Sequence, residues 1–251
     1  MNNTQTQGKS AVKRIGMAVF IVFAVLFAMF FFYTENYYHA DRTAVMMLRT
    51  DEYASVTSSQ TGLLFDGPGA EDLLIFYPGA KVQETAYAPL MRQIAEDGMD
   101  VFLVRMPARL AVFGANKADD ALQETADYAH VYIGGHSLGG AMAANYAAEH
   151  AEDLAGVLLL AAYSTKTLPN NLPVLSVYGT EDGVLNRSNY EKYLGNLQNL
   201  QEVVIEGGNH AQFGSYGEQR GDGEASIDPG MQWNETAEAV LKMREGQRLR
   251  F

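Results

Sequence analysis

The chain has 251 residues, 47% of them hydrophobic, enough for one large domain with a buried core and too few for two enzymes. It has no cysteine, which removes disulfide frameworks, thiolate metal sites and a thiol nucleophile. Its formal charge of -12 gives a surface that repels nucleic acid, so no such partner is expected.

The charges are unevenly placed. Lys9, Lys13 and Arg14 precede every acidic residue, and all 30 Asp and Glu lie from Glu35 onward. From Ile15 to Thr34 the run IGMAVFIVFAVLFAMFFFYT carries no charge. At about 1.5 Å rise per residue, a helix of that length spans roughly 30 Å, the thickness of a bilayer core. Tyr33, Tyr37 and Tyr38 fall where an interfacial aromatic belt belongs, and the basic flank predicts a cytoplasmic N-terminus with the remaining chain outside. A cleaved signal peptide is the alternative, but its apolar stretch is usually about 7 to 15 residues and ends in small residues. Here Phe30, Phe31, Phe32 and Tyr33 close the run, and a cut after Ala40 would put Tyr38 where a small residue is wanted. The expected organisation is a basic cytoplasmic tail over 1–14, a transmembrane helix over 15–34, a linker over 35–45 and one globular domain over 46–251.

After a helix expected around 44–53, short β-rich runs alternate with amphipathic ones. Strands are expected at 54–58, 62–65, 73–77, 101–104, 131–134, 156–161, 174–178 and 202–205. Several are continuous apolar runs, such as VFLV and VLLLAA, the pattern of strands covered on both faces. Helices are expected at 84–97, 117–129, 138–149, 186–194 and 232–244. This alternation predicts an α/β protein with a mostly parallel, doubly wound, eight-stranded sheet and an antiparallel start. In such sheets the reactive groups belong in loops at the C-terminal strand ends.

One of those strand ends carries Gly135-His136-Ser137-Leu138-Gly139, a G-x-S-x-G pattern between a strand and an Ala-rich helix. A serine there sits on a strained strand-to-helix turn, and glycine two residues to either side, Gly135 and Gly139, relieves the crowding. The turn also places the serine at a helix N-terminus, where the N–H of Leu138 faces developing negative charge. Without the flanking elements Ser137 would read as an ordinary capping serine; with them it reads as a nucleophile.

A serine hydroxyl needs a histidine to take its proton, and that histidine needs a carboxylate to fix its tautomer. VVIEGGNHAQFG puts His210 just past a strand, and VLSVYGTEDGV does the same for Glu181 and Asp182. Asp182, beside Gly183, is the preferred partner, with Glu181 more free to face water. His136 lies inside the turn, His130 before the strand, His150 at a helix end and His39 near the apolar run. No two histidines stand in an H-E-x-x-H frame, so neither a metal nor another cofactor is expected. LLIFYPGAKV ends a further strand with Pro78-Gly79-Ala80, placing the N–H of Ala80 as a second oxyanion donor, with Lys81 as the alternative.

YPGAKV, GGHSLGG, YGTEDGV and GGNHAQFG resemble the α/β-hydrolase superfamily, and within it the small bacterial dienelactone-hydrolase-like and carboxylesterase-like groups. The order Ser137, Asp182, His210 is also that of the superfamily. The likeness runs from about residue 54 to the end. It implies the α/β-hydrolase fold, a small-molecule ester or related acyl substrate, and an acyl-enzyme intermediate. Pro78-Gly79 stands where many esterases of the superfamily carry His-Gly.

Only STKTLPNNL separates Tyr163 from Pro173, so no large cap domain is expected. Residues 106–114 and 211–231 follow strand ends and are expected as walls of the cleft, the second as a solvated, flexible flap. In that flap Asp222, Glu224, Ser226 and Asp228 alternate like calcium ligands, but Ile227 and Trp233 stand where an EF-hand needs Gly and Glu. An acyltransferase or thioesterase on the same three residues, and an inactive fold used for binding, are the alternatives to an ester hydrolase.

Overall fold

The structure, a computed structural model, describes residues 3–69, 71–125 and 128–248. Positions 1–2 of the expected basic tail, 126–127 of the expected helix over 117–129, and 249–251 of the expected domain lie outside them. The chain divides into two units, Met1–Tyr37 and Tyr38–Phe251.

The first unit is one helix, α1 (Asn3–Glu35), whose stretch Ile15–Glu35 is long and apolar enough to cross a membrane. Its large apolar side chains, Phe20, Phe27 and Phe32 among them, are exposed. Apolar area of this kind is favourable only against an apolar medium, at roughly 25 cal/mol per Å².

In the second unit, residues 38–45, read from the sequence as linker, are tied into the domain. Tyr38 bridges Val82, its N–H donating to the Lys81 carbonyl at 2.7 Å and its carbonyl accepting from Gln83 at 2.9 Å. Helix α2 (Arg42–Met46) is capped by Asp41, which accepts from the Ala44 N–H at 3.0 Å and from the Ser215 hydroxyl at 2.8 Å. The helix expected over 44–53 ends early because local polar groups offer the backbone other partners: Thr50 accepts from the Val56 N–H, and Asp51 from those of Tyr53 and Ala54.

The strands β1 (Ser55–Ser58), β2 (Gly62–Asp66), β3 (Asp72–Tyr77), β4 (Asp100–Val104), β5 (His130–His136), β6 (Gly156–Leu160), β7 (Val174–Gly179) and β8 (Leu200–Ile205) form one sheet. Its order is β1-β2-β4-β3-β5-β6-β7-β8. β2 runs antiparallel to both β1 and β4, and every later pairing is parallel.

Within β3, Leu73, Ile75 and Tyr77 enter one core while Leu74 and Phe76 enter the other. Period-two alternation with both faces apolar is what a doubly covered strand requires. Leu90, Met91 and Ile94 of α3 (Ala88–Glu96) and Ala237, Val240 and Met243 of α7 (Pro229–Arg248) fill one face. Ala118 and Ala121 of α4 (Lys117–Glu124) join Ala143 and Ala147 of α5 (Leu138–Glu149) on the other. The remaining helix, α6 (Arg187–Tyr193), meets the sheet through the Tyr190 hydroxyl, bonded to Ser176 at 2.9 Å.

Residues 161–173, between β6 and β7, contain neither helix nor strand, so the sheet edge has no large cap. The segment over 211–231 departs from the flap expected: Phe213 and Tyr216 are buried, and the Trp233 indole donates to the Gln212 carbonyl at 2.7 Å.

Arg92, buried on α3, donates to the Met47 and Arg49 carbonyls and pairs with Asp51 and Glu96. Arg92→Met keeps the aliphatic stem but strands two carbonyls of the segment leading into β1. We expect it to lower stability by about 1–3 kcal/mol, read as a reduced urea midpoint of the full-length chain in detergent by Trp233 fluorescence.

Candidate active site

The sheet brings the ends of β3, β5, β7 and β8 to one edge, and the loops that leave them carry Gly79-Ala80, Ser137, Asp182 and His210. Ser137 stands between β5 and α5 with φ 53° and ψ -122°, a region that L-residues avoid at a cost of about 1–3 kcal/mol. Its hydroxyl makes no capping bond, which distinguishes it from an ordinary N-cap serine. Its own N–H is anchored to the Leu160 carbonyl at 2.9 Å. A β-carbon on Gly139 would lie 2.2 Å from the Tyr77 carbonyl oxygen and 2.3 Å from that of Pro78. One on Gly135 would lie 2.6 Å from Tyr77 as well. The end of β3 therefore passes directly against the turn, and only glycine fits on either side of the serine.

His210 and Asp182 meet: Nδ1 of the imidazole lies 2.9 Å from Oδ2 of the carboxylate. The other oxygen of Asp182 accepts from the N–H groups of Val184 at 2.9 Å and Leu185 at 2.7 Å. Burial alone pushes the Asp182 carboxyl up, but the bond and charge of His210 and those two amides outweigh it and hold the group below its ordinary value. An ionised carboxylate only accepts, so Nδ1 carries the proton and the lone pair of the neutral ring is on Nε2. Glu181 is exposed and does not reach the histidine.

The imidazole of His210 packs against that of His136, the residue before the serine, with ring centroids 4.4 Å apart. Ser137 and His210 share no hydrogen bond; Nε2 of His210 is buried with no partner. Ser137, Leu138 and Ala80 are half-buried, whereas His210 lies beneath the surface.

The loop after β3 has a sharply defined set of amides. The N–H of Gly79 donates to the Tyr87 hydroxyl at 3.0 Å, and that of Lys81 to the Arg109 carbonyl at 2.8 Å. Ala80 lies between them with its N–H uncommitted, as is that of Leu138 at the start of α5, so of the two donors considered for this loop Lys81 is the one already occupied.

Tyr87 and His136 are not assigned roles by the sequence. The Tyr87 hydroxyl accepts from Gly79 and lies 2.7 Å from Nδ1 of His136; a hydroxyl that accepts from Gly79 donates its own proton to that nitrogen. Burial, followed by the proximity of His210, holds His136 well below the ordinary histidine value, so it stays neutral beside the second imidazole. Burial likewise raises the Tyr87 phenol, which stays protonated. Gly79 fits above this pair because a β-carbon there would lie 2.8 Å from both Tyr87 and His136. The other histidines are elsewhere: His130 pairs with Asp72 at the start of β5, and His150 stacks on Tyr146.

A further carboxylate bears on the site. Asp222 accepts from the N–H groups of Gly183, His210, Ala211 and Gly223 at 3.0, 3.2, 2.8 and 2.9 Å. In the sequence it is legible only as the first residue of a rejected calcium pattern. Among the described residues, no group of three or more His, Cys, Asp or Glu is placed to hold a metal ion.

The fold is shared with other chains. A model described as "Alpha/beta hydrolase family" matches residues 73–234. The chain belongs to that family. Solved structures share its fold at low identity. Est1E from Butyrivibrio proteoclasticus is 14% identical with a TM-score of 0.54, over 77% of this chain and 100% of its own. Dienelactone hydrolase from Anabaena variabilis ATCC 29413 is 18% identical with a TM-score of 0.52, over 76% and 97%. A thermostable esterase from Pseudomonas putida ECU1011 is 14% identical with a TM-score of 0.56, over 80% and 86%. No curated protein matches the chain in sequence.

Tyr87→Phe removes one oxygen and leaves the Gly79 N–H and His136 Nδ1 both unpaired in the interior. We expect a loss of about 1–3 kcal/mol in stability, measured by urea unfolding against the parent chain.

Proposed function

We propose that this alpha/beta hydrolase is a serine hydrolase that cleaves a carboxylic ester or related acyl bond, with Ser137 as nucleophile, His210 as general base and Asp182 as its orienting acid. The observation that carries the reading is the Asp182–His210 bond, which leaves Nε2 bare on a ring packed against His136, the residue before a serine held at positive φ. On this reading the Ser137 hydroxyl bonds that nitrogen once substrate is in place; such bonds are often long or unmade before substrate binds.

In the proposed reaction Ser137 Oγ attacks the carbonyl carbon while its proton passes to Nε2 of His210. The carbonyl oxygen becomes an oxyanion between the N–H groups of Leu138 and Ala80, two donors that no protein group occupies. Collapse breaks the bond to the leaving alcohol, which departs with the proton from His210. Water, deprotonated by the same nitrogen, then releases the acid and restores the serine. The absence of a helix or strand over 161–173 favours small esters or an exposed ester on a larger molecule. Structures that share the fold include an esterase and a dienelactone hydrolase, in keeping with this reading.

Full-length chain in detergent, assayed on short p-nitrophenyl esters, thioesters and amides with and without alcohol acceptors, tests the reading. Ser137→Ala is expected to lower the turnover of the preferred class by about 10⁶. A variant as active as its parent, with Ser137 of the parent also untouched by a fluorophosphonate probe, sinks the proposal and favours a binding role for the fold.

The domain organisation proposed with it is a single-pass anchor, residues 15–34, with the basic tail cytoplasmic and the catalytic domain on the other side. Its support is the apolar stretch Ile15–Glu35 with Lys9, Lys13 and Arg14 before it. The cysteine-free chain makes single-cysteine labelling clean. In intact cells an impermeant maleimide is expected to label Glu238→Cys directly and Lys13→Cys only after lysis. The reverse pattern, or a mature chain that has lost its first residues, overturns this arrangement.

A further inference from the structure

The loop that carries the base has almost no regular structure, yet its backbone is held at every step by side chains from elsewhere. Asn209 exchanges two bonds with the buried amide of Gln232, its N–H donating at 3.0 Å and its carbonyl accepting at 2.8 Å. The next two amides, of His210 and Ala211, both donate to Asp222, and so does Gly183 from the neighbouring loop. Gly183 is the residue after Asp182, and His210 is the residue whose ring Asp182 holds. One carboxylate thus ties the backbone of the acid loop to the backbone of the base loop.

The close approach is built into the glycines. A β-carbon on Gly183 would lie 2.6 Å from the Gly221 carbonyl oxygen, and one on Gly223 would lie 2.0 Å from that of Glu181. Asn209 adds a bond from its amide to the Gly223 carbonyl at 2.8 Å. The segment around Asp222 is therefore wedged between the two loops, with its charge aimed at their amides. A carboxylate shared among several N–H groups is a strong and directional acceptor.

On the serine hydrolase reading given above, we infer that Asp222 is a positioning residue: it sets the separation between Asp182 and His210 and so aims Nε2 at the nucleophile. It touches no reacting atom. Its effect belongs on the chemical step, because a displacement of about 1 Å in a catalytic group can cost on the order of 10²-fold in rate.

Asp222 also lines a cavity of about 570 Å³ together with Ala211, Gln212, Gly214 and Glu224, so a small carboxylate from solution can reach the space its side chain leaves. The test compares parent, Asp222→Asn, Asp222→Ala and Ser137→Ala, all as full-length chain in detergent, with kcat and KM on the best p-nitrophenyl ester. Asp222→Ala is expected to lower kcat by roughly ten- to hundred-fold with KM within about threefold. Asp222→Asn keeps Oδ1, which serves Gly183, His210 and Gly223, but turns an amide donor toward Ala211; its kcat should fall between those of parent and alanine variant. Formate or acetate should restore part of the kcat of Asp222→Ala while leaving parent and Ser137→Ala unchanged. An unaltered kcat in both Asp222 variants, with Ser137→Ala inert, overturns the positioning role and leaves the hydrolase reading intact. A loss of activity in Asp222→Ala that no carboxylate rescues, accompanied by an equal loss of folded protein, overturns it as well. A parent that neither turns over nor labels with a fluorophosphonate overturns both.

Discussion

The backbone at Ser137 is the constraint around which the rest of the site is arranged. A residue with a β-carbon is held at φ 53° at a cost that the neighbouring contacts must offset. They do so by leaving no alternative: the serine N–H is fixed to Leu160, and the glycines at 135 and 139 lie against the carbonyls that end β3. In this turn the serine hydroxyl makes no cap on α5, and the first amide of that helix has no protein partner. The same packing brings the loop after β3 against the elbow, so the oxyanion donors proposed for Leu138 and Ala80 come from two chain segments locked to each other.

Burial then determines the company that His210 can keep. His210 is almost wholly enclosed, and a polar ring taken from water needs its partners supplied. Asp182 supplies one, and by accepting at Nδ1 it also decides which nitrogen is bare. His136 lies against the same ring, where a second imidazolium would repel the first. Its enclosure keeps it neutral, and the Tyr87 hydroxyl gives it a donor that a neutral ring can accept. That hydroxyl also fixes Gly79, so the surroundings of His210 and the shape of the loop after β3 rest on one phenol.

Much of this was legible in the chain because it is written in local patterns. The eight strands and the α5 helix follow from continuous apolar runs and alternation, and the fold class follows from their order. The elbow is a five-residue motif with its own punctuation. Asp182 over Glu181 was readable from the adjacent glycine, and the structure puts Asp182 on the histidine. Long-range partners were not legible. Tyr87 reads as a core aromatic, and nothing local says that its hydroxyl links Gly79 to His136. Asp222 lies in an acidic, glycine-rich stretch that resembles a solvated flap, and its role depends on amides that are 11 to 39 residues away in sequence. The helix expected after residue 44 failed for a related reason: Thr50 and Asp51 have propensities that a window average tolerates, but their side chains captured the backbone locally.

The site is also divided by depth, and the division has a chemical meaning in the proposed reaction. Ser137, Leu138 and Ala80 are half-buried, the positions that a substrate carbonyl must reach. His210, Asp182 and His136 lie under them, away from water. An ion pair formed there during proton transfer is screened far less than one at the surface, so the Asp182 carboxylate stabilises the imidazolium most strongly at the moment it forms. That benefit depends on geometry being kept without solvent to adapt, which is why the base loop is held by side chains at three consecutive residues while the substrate side is left uncapped.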